Sequence, residues 1–294
     1  MKILGISGGM HSCGLAYLKD GKPIFAFEEE RFNRIRTYKD FYEDLFRFPY
    51  ECGQNVWYNK DFDWNKLDYI TSHYSAEVTE KIWDGIGLGP FPKEKFIKTN
   101  HHRAHCSLAY YCSGFEEDTL VVSIDAMGEK YSARYFIGSN GDLKDIGKIS
   151  NEFKSLGHYY AMLTEFLGFR RLKDEGKVVG TASHGHFFED FYNVFNKCVT
   201  IDGIKTDKDN GKVISGGIYE DFYKLWFEKF GSKFTCHVKN DIAYNGQLVF
   251  EEKVLEIFNN LHKKYPKIKK LALAGGIFAN VKLNKKINEL EWVD

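Results

Sequence analysis

Hydrophobic and polar positions alternate in short runs over much of the first half of the chain, and helical spacing dominates towards its end. "KILGIS" is an apolar run of strand length followed by a glycine-rich turn. "LAYL" and "PIFAFEE" flank "KDGK", the pattern of a hairpin closed through glycine. "LDYITSHYS" and "LVVSIDAMGEK" read as further strands, the second ending in an acid and a glycine turn. "SARYFIGSNGDLKDIGKI" predicts a second hairpin with "NGD" at its turn. Helical spacing sets in with "SLGHYYAMLTEFLGF" and is clearest in "QLVFEEKVLEIFNNLHKKY", where apolar positions recur three and four apart. "IKKLALAGGIFANVKLNKKINEL" then predicts a buried strand, a Gly-Gly turn and a helix. Between these, 31–54 has mixed helical spacing, and 187–234 is polar, aromatic and irregular, the texture of an insertion.

Hairpins followed by alternating strands and helices indicate an α/β protein. The change of texture near residue 150 divides it into an N-terminal α/β lobe, 1–150, and a second lobe, 151–294. No repeat is legible in the sequence. A strand–Gly-Gly step does occur near both ends, in "GISGG" and "LAGG", where bare amides can face an anion.

Composition narrows the function classes. The 294 residues carry 41 Lys and Arg against 41 Asp and Glu, so no excess positive charge points to general nucleic-acid binding. No apolar run approaches a membrane span, and the first residues lack the apolar core of a signal peptide, so the cytoplasm is the expected compartment. Six scattered cysteines without a CxxC pair read as free thiols.

The densest chemistry lies in "NHHRAHCSLAYY", where Asn100 suits the cap of a helix. On that helix His101 and His105 are one turn apart on one face, about 6 Å from each other, and can reach one metal ion. His102 is rotated away by roughly 100°. Asp125, at the end of the strand "VVSID", is the best-placed third ligand, since strand ends in α/β folds face the ligand crevice. The glutamate of HExxH is missing, so a zinc-protease reading has no base. Cys106 points off the ligand face and reads as a buried thiol. His11, in the glycine-flanked "SGGMHSCG", is a candidate general base or oxygen ligand. "EEERFNRIR" is either a solvated charge run or an ion-pair network in which Arg31 or Arg34 forks onto an anion. "DEGKVVGTASHG", with Lys177 and three glycines, is a candidate phosphate-contacting loop, though no Walker motif.

Five segments taken in order resemble one family. "ILGISGGMHSCGLAYLKDG", "FEEERFNRIR", "NHHRAHCSLAYY", "DEGKVVGTASHG" and "DIAYNGQLVFEE…LALAGGIFANVKLNKKI" are similar to the O-carbamoyltransferases of nodulation-factor and antibiotic biosynthesis, the NodU/TobZ type. The resemblance implies a two-lobed actin-like or sugar-kinase-like (ribonuclease H-like) fold, close to the tRNA threonylcarbamoyl-transfer protein. It implies transfer of a carbamoyl group from carbamoyl-adenylate to an acceptor hydroxyl, with a divalent metal, Fe2+ foremost and Zn2+ or Mn2+ as alternatives. By motif position His101, His105 and Asp125 would hold the metal, and His11 would sit at the transfer centre. Gly275, Gly276 and Asn280 of "AGGIFAN" would contact ATP or the adenylate, as would Lys177. The family's later Gly-Asp-x-Gly segment has no counterpart here, nor does its adenylate-forming domain. The expectation is therefore an incomplete second lobe, with carbamoyl phosphate and ATP handled by a missing domain or a second polypeptide. The acceptor is a small molecule or nucleotide bearing a hydroxyl. Two other classes stay open: another group transfer on this fold, such as threonylcarbamoylation or phosphorylation, and a nucleotide-binding subunit without catalysis.

Overall fold

A computed structural model describes residues 1–8, 13–34, 49–150, 155–205 and 236–294, apart from the side chains of residues 57, 236 and 237. His11, most of the mixed helical stretch and the later part of the expected insertion lie outside the described residues. The chain forms two compact units, Met1–Asn100 and His101–Asp294.

In the first unit, β1 (Lys2–Ser7), β2 (Gly14–Lys19) and β3 (Lys22–Glu28) form an antiparallel meander. The β2–β3 turn places Asp20 at φ 52° and Gly21 at φ 77°, the two left-handed residues of a type I′ hairpin. The charge run opens the short helix α1 (Glu29–Asn33), whose Glu29 is buried and accepts bonds from the Glu51 and Cys52 amides at 3.0 and 2.9 Å. That carboxylate satisfies the open N-terminus of α2 (Tyr50–Trp57). β4 (Tyr69–Ser72) and β5 (Phe96–Lys98) add in parallel beside β1, giving the order β3-β2-β1-β4-β5. Between them runs α3 (Ala76–Ile86), capped by the Ser75 hydroxyl and ended by Gly87 at φ 77°. Its Ile82, Trp83 and Ile86 pack with Leu4, Ile6, Leu15, Tyr17 and Ile70 into the core of this unit. Just past β4, the Tyr74 hydroxyl donates to the Gly8 carbonyl just past β1.

The second unit begins with α4 (His101–Tyr111), directly after Asn100. β6 (Thr119–Gly128), β7 (Tyr131–Ser139) and β8 (Asp142–Ser150) form another meander, again with a type I′ turn, Asn140 and Gly141 at φ 50° and 81°. Helices α5 (Leu156–Phe166), α6 (Glu175–Ala182) and α7 (Glu189–Cys198) follow, then the small ladder of β9 (Val199–Thr200) and β10 (Gly203–Ile204). The long helix α8 (Cys236–Lys264) leads into β11 (Lys270–Ala274) and α9 (Val281–Asn288). β11 runs parallel to β6, so the order is β11-β6-β7-β8. β6 is covered on both faces: Val121 packs with Cys106 and Tyr110 of α4, while Leu120, Val122 and Ile124 enter the larger core with α5 and α8. That double burial is why Leu120, Val121 and Val122 are apolar in succession, Ser123 being the buried polar exception.

The two sheets share one plan, a three-stranded antiparallel meander whose first strand takes a parallel neighbour. This is the α/β class that the resemblance implies. The plan was invisible as a repeat because strand order and pairing direction, not residue identity, carry it.

Three expectations change. The compact units divide after Asn100, not at residue 150, because β6–β8 join one sheet with β11. The part of the expected irregular insertion that is described holds α7, whose Phe191, Phe195 and Cys198 are buried at helical spacing. "DEGKVVGTASHG" is mostly the helix α6 rather than a loop. Among the described residues no helix is long and apolar enough to cross a membrane.

Candidate metal centre

The helix α4 lies against β6, β7 and β11 through Cys106 and Tyr110, and this packing fixes which way its histidines point. His102 faces inward with Cys106, one turn on. Fully buried, it bridges two strands: Nδ1 meets the Ser123 hydroxyl at 2.9 Å and Nε2 the Tyr131 carbonyl at 2.8 Å. A carbonyl can only accept, so Nε2 carries the proton and Nδ1 accepts from the hydroxyl. Burial, the largest influence, pulls the His102 pKa down to about 4, which keeps the ring neutral. With both nitrogens engaged, His102 is a strut between the two strands.

His101 and His105 occupy the adjoining face with ring centroids 4.7 Å apart. Their Nε2 atoms stand 3.5 and 3.4 Å from the same oxygen, Oδ2 of Asp125. The other oxygen, Oδ1, accepts the Ala126 amide at 2.7 Å. Burial alone would raise the Asp125 pKa; the contacts with His101, His105 and the Ala126 amide outweigh it and hold the carboxyl well below its ordinary range. The carboxylate stands where β6 loses register with β7, between Ile124 and Gly128, so the strand end is released from the ladder.

These three donors fit a cation. Ligand bonds of about 2.1 Å at tetrahedral angles separate neighbouring donor atoms by about 3.4 Å. The two His–Asp separations match that edge and are long for direct hydrogen bonds. All three donor atoms lie within 4.8 Å of one another, and among the described residues no other such group of three occurs.

The wall behind the carboxylate is bare backbone. Gly275 has φ 96°, and a Cβ there would stand 2.2 Å from the Ile124 carbonyl oxygen; one on Gly276 would stand 3.0 Å from Asp125 Oδ1. A one-turn helix, Gly276–Ala279, carries this wall from β11 to α9. Asn280 does not point into open space: its Oδ1 caps α9 through the Leu283 amide at 3.1 Å, and its amide pairs with Gln247. Lys177 stands in the first turn of α6, 3.1 Å from Asp174, which also grips Arg170. The structure thus gathers His101, His105, Asp125 and Gly276 at one point, sets Gly275 beside it, and gives Asn280 and Lys177 partners of their own. Three residues that sequence reasoning missed serve the same point. Gly128 leaves room for His101 and His102, a Cβ on it falling 2.7 Å from His101 Cδ2. Ser123 fixes His102, and the Ser155 hydroxyl ties the N-terminus of α5 to the Ala126 carbonyl at 2.8 Å. The period-two alternation of "VVSID", which puts Ser123 and Asp125 on one face, was the available signal.

Fold and site define a class: an α/β protein with a two-histidine, one-carboxylate centre at the open end of a parallel strand pair. Residues 58–291 match the family model described as the carbamoyltransferase N-terminus, and the chain belongs to that family. It is 30% identical over 294 residues to the uncharacterised protein MJ1051 of Methanocaldococcus jannaschii, covering 98% of this chain and 52% of that one. It is 28% identical over 331 residues to the nodulation protein NolNO of Sinorhizobium fredii, covering 98% of this chain and 46% of that one. The chain therefore spans about half the length of the curated relatives it matches. Among solved structures, full-length HypF in its phosphate- and nucleotide-bound form superimposes with a TM-score of 0.55 at 13% identity, over 98% of this chain and 50% of HypF. That likeness concerns the fold.

Proposed function

We propose that the chain forms the transfer part of an O-carbamoyltransferase, passing a carbamoyl group from carbamoyl-adenylate to an acceptor hydroxyl. The observation that carries this reading is the convergence of His101 and His105 on one oxygen of Asp125 at ligand–ligand spacing, in a chain of the carbamoyltransferase family. His101, His105 and Asp125 would hold a divalent cation, and two imidazoles with one carboxylate suit Fe2+, with Zn2+ or Mn2+ as alternatives. When bound, such an ion acts as a Lewis acid towards the carbonyl and phosphate oxygens of the mixed anhydride.

The chain's own residues supply the rest. Gly275 and Gly276 present unshielded backbone beside Asp125, which lets an adenylate approach the strand end closely. Asn280 supports that turn from behind through its cap and its amide pair. Lys177 reaches a phosphate by exchanging Asp174 for it, an exchange its half-exposed position allows. His11 serves as the base that takes the acceptor's proton, on the chemistry of an imidazole near neutral pH. Carbamoyl-adenylate itself comes from carbamoyl phosphate and ATP through a further domain or polypeptide. The acceptor is an alcohol on a small molecule or nucleotide.

The test is to offer synthetic carbamoyl-adenylate and a panel of alcohols to the metal-loaded protein and score the carbamoyl mass increment. Transfer that disappears in His101→Ala and His105→Ala supports the reading. A wild-type protein that takes up no divalent cation overturns it.

A further inference from the structure

Behind the glycine turn lies a closed polar network that the proposed transfer does not use. Asn280 Nδ2 donates to Gln247 Oε1 at 3.0 Å, and Gln247 Nε2 donates back to Asn280 Oδ1 at 3.2 Å. The Tyr160 hydroxyl donates to Gln247 Oε1 at 2.6 Å, and the second Nε2 hydrogen goes to Glu251 Oε1 at 2.6 Å. Glu251 is neutralised in turn by Lys286 at 2.6 Å. Every donor and acceptor position of the Gln247 amide is therefore filled. Gln247 is 1% exposed, Glu251 2%, Tyr160 6% and Asn280 7%, so the network is dry.

Apolar packing alone would hold α5, α8 and α9 together, and a buried amide adds stability only if all its bonds are made. What the network adds is position. It joins three helices at Asn280, the residue that closes the one-turn helix through its amide to Ile277 O at 3.1 Å and caps α9. The same short turn carries Gly276 against Asp125 Oδ1. A shift of a few tenths of an ångström at Asn280 is felt at the carboxylate, because no side chain lies between to absorb it.

We infer that Gln247 is a positioning residue of the metal centre: through its paired amide bonds with Asn280 it sets where the Gly275–Gly276 turn stands against Asp125. This rests on the reading of His101, His105 and Asp125 as a metal centre, and the experiment separates the two. Gln247→Met keeps length and apolar fit while removing all four bonds. Tyr160→Phe removes one bond and is the milder variant should Gln247→Met not fold. Val254→Ala, a buried truncation on the same helix, is the control for lost stability.

Hydrogen–deuterium exchange on metal-free protein, read at peptides covering 125–128 and 275–280, measures the turn directly. Titration with Co2+, followed by calorimetry and visible absorption, measures its effect on the ligands. The expected result is faster exchange at both peptides in Gln247→Met and, to a smaller extent, in Tyr160→Phe. Co2+ affinity should fall about tenfold in Gln247→Met, the scale of lost outer-shell support. Val254→Ala should keep wild-type values in both assays despite a lower melting temperature. Wild-type exchange at 275–280 in Tyr160→Phe, or unchanged Co2+ affinity in a folded Gln247→Met, overturns the inference. A wild-type protein that does not bind Co2+ defeats the metal reading, while the exchange comparison still decides whether Gln247 holds the turn.

Discussion

Replacing Gly275 with alanine and Gly276 with alanine should produce two different failures, although the sites are adjacent. At Gly275 the backbone sits at φ 96° and ψ 160°, an extended region all but confined to glycine, where a Cβ costs about 1–2 kcal/mol. The added methyl would also stand 2.2 Å from the Ile124 carbonyl oxygen, a backbone atom that moves only with its strand. Overpacking of this kind costs about 1–3 kcal/mol more, for a total near 3 kcal/mol. In a unit the size of His101–Asp294, that lowers the melting temperature by about 6–12 °C. Gly276 has no positive φ, and the atom facing its added methyl is Asp125 Oδ1 at 3.0 Å, the end of a side chain that can give way. Alanine there recovers about 0.4–1 kcal/mol from the unfolded state, so the melting temperature should stay close to wild type. On the proposed reading Asp125 would be a ligand, so divalent-metal affinity should fall about tenfold. Differential scanning calorimetry of metal-free protein and Co2+ titration of each variant separate the two effects. Full stability in Gly275→Ala together with wild-type affinity in Gly276→Ala would refute the account of the turn.

His101→Ala and His105→Ala should each weaken metal binding at least about 100-fold, beyond what loss of outer support costs, with little change in metal-free stability. His102→Ala should do the reverse to stability, leaving the Ser123 hydroxyl and Tyr131 carbonyl without their dry partner at about 1–3 kcal/mol each, read by thermal denaturation. Iodoacetamide at pH 8 should label exposed Cys112 and spare buried Cys106, whose thiol burial pushes up to about 12; peptide mass spectrometry decides. Trp83→Phe should cost the first unit about 1–2 kcal/mol, since the buried indole donates to the Gly89 carbonyl at 2.7 Å and phenylalanine cannot.

Much of this was legible in the sequence where one local rule decided the outcome. "KDGK" and "NGD" announced their hairpins because a type I′ turn needs Asp or Asn beside Gly. HHxxH on a helix separated His101 and His105, which share a face towards Asp125, from inward His102 by angle alone. The missing pieces depend on tertiary partners. "DEGKVVGTASHG" reads as a phosphate-contacting loop from its acid, lysine and three glycines, whereas the chain turns helical from Glu175 despite Gly176 and Gly180. The unit boundary was misplaced because only the pairing of β11 with β6 shows that residues on either side of 150 share a sheet. Gln247 lay unnoticed within an amphipathic helix, its role visible only once Asn280, far along the chain, was beside it.

The shared plan of the two sheets has a consequence for how such a scaffold acquires chemistry. Two residues past β4 stands Tyr74, which meets Gly8 just past β1, and two residues past β11 stands Gly276, which meets Asp125 near the end of β6. In the first unit a phenol stands there and spends its hydroxyl on an internal bond. In the second the position carries no side chain, and an ionised carboxylate stands beside bare backbone. Side-chain volume at one position relative to the parallel strand thus separates a strand end tied by a phenol from one that leaves backbone bare beside a carboxylate, within the same strand order.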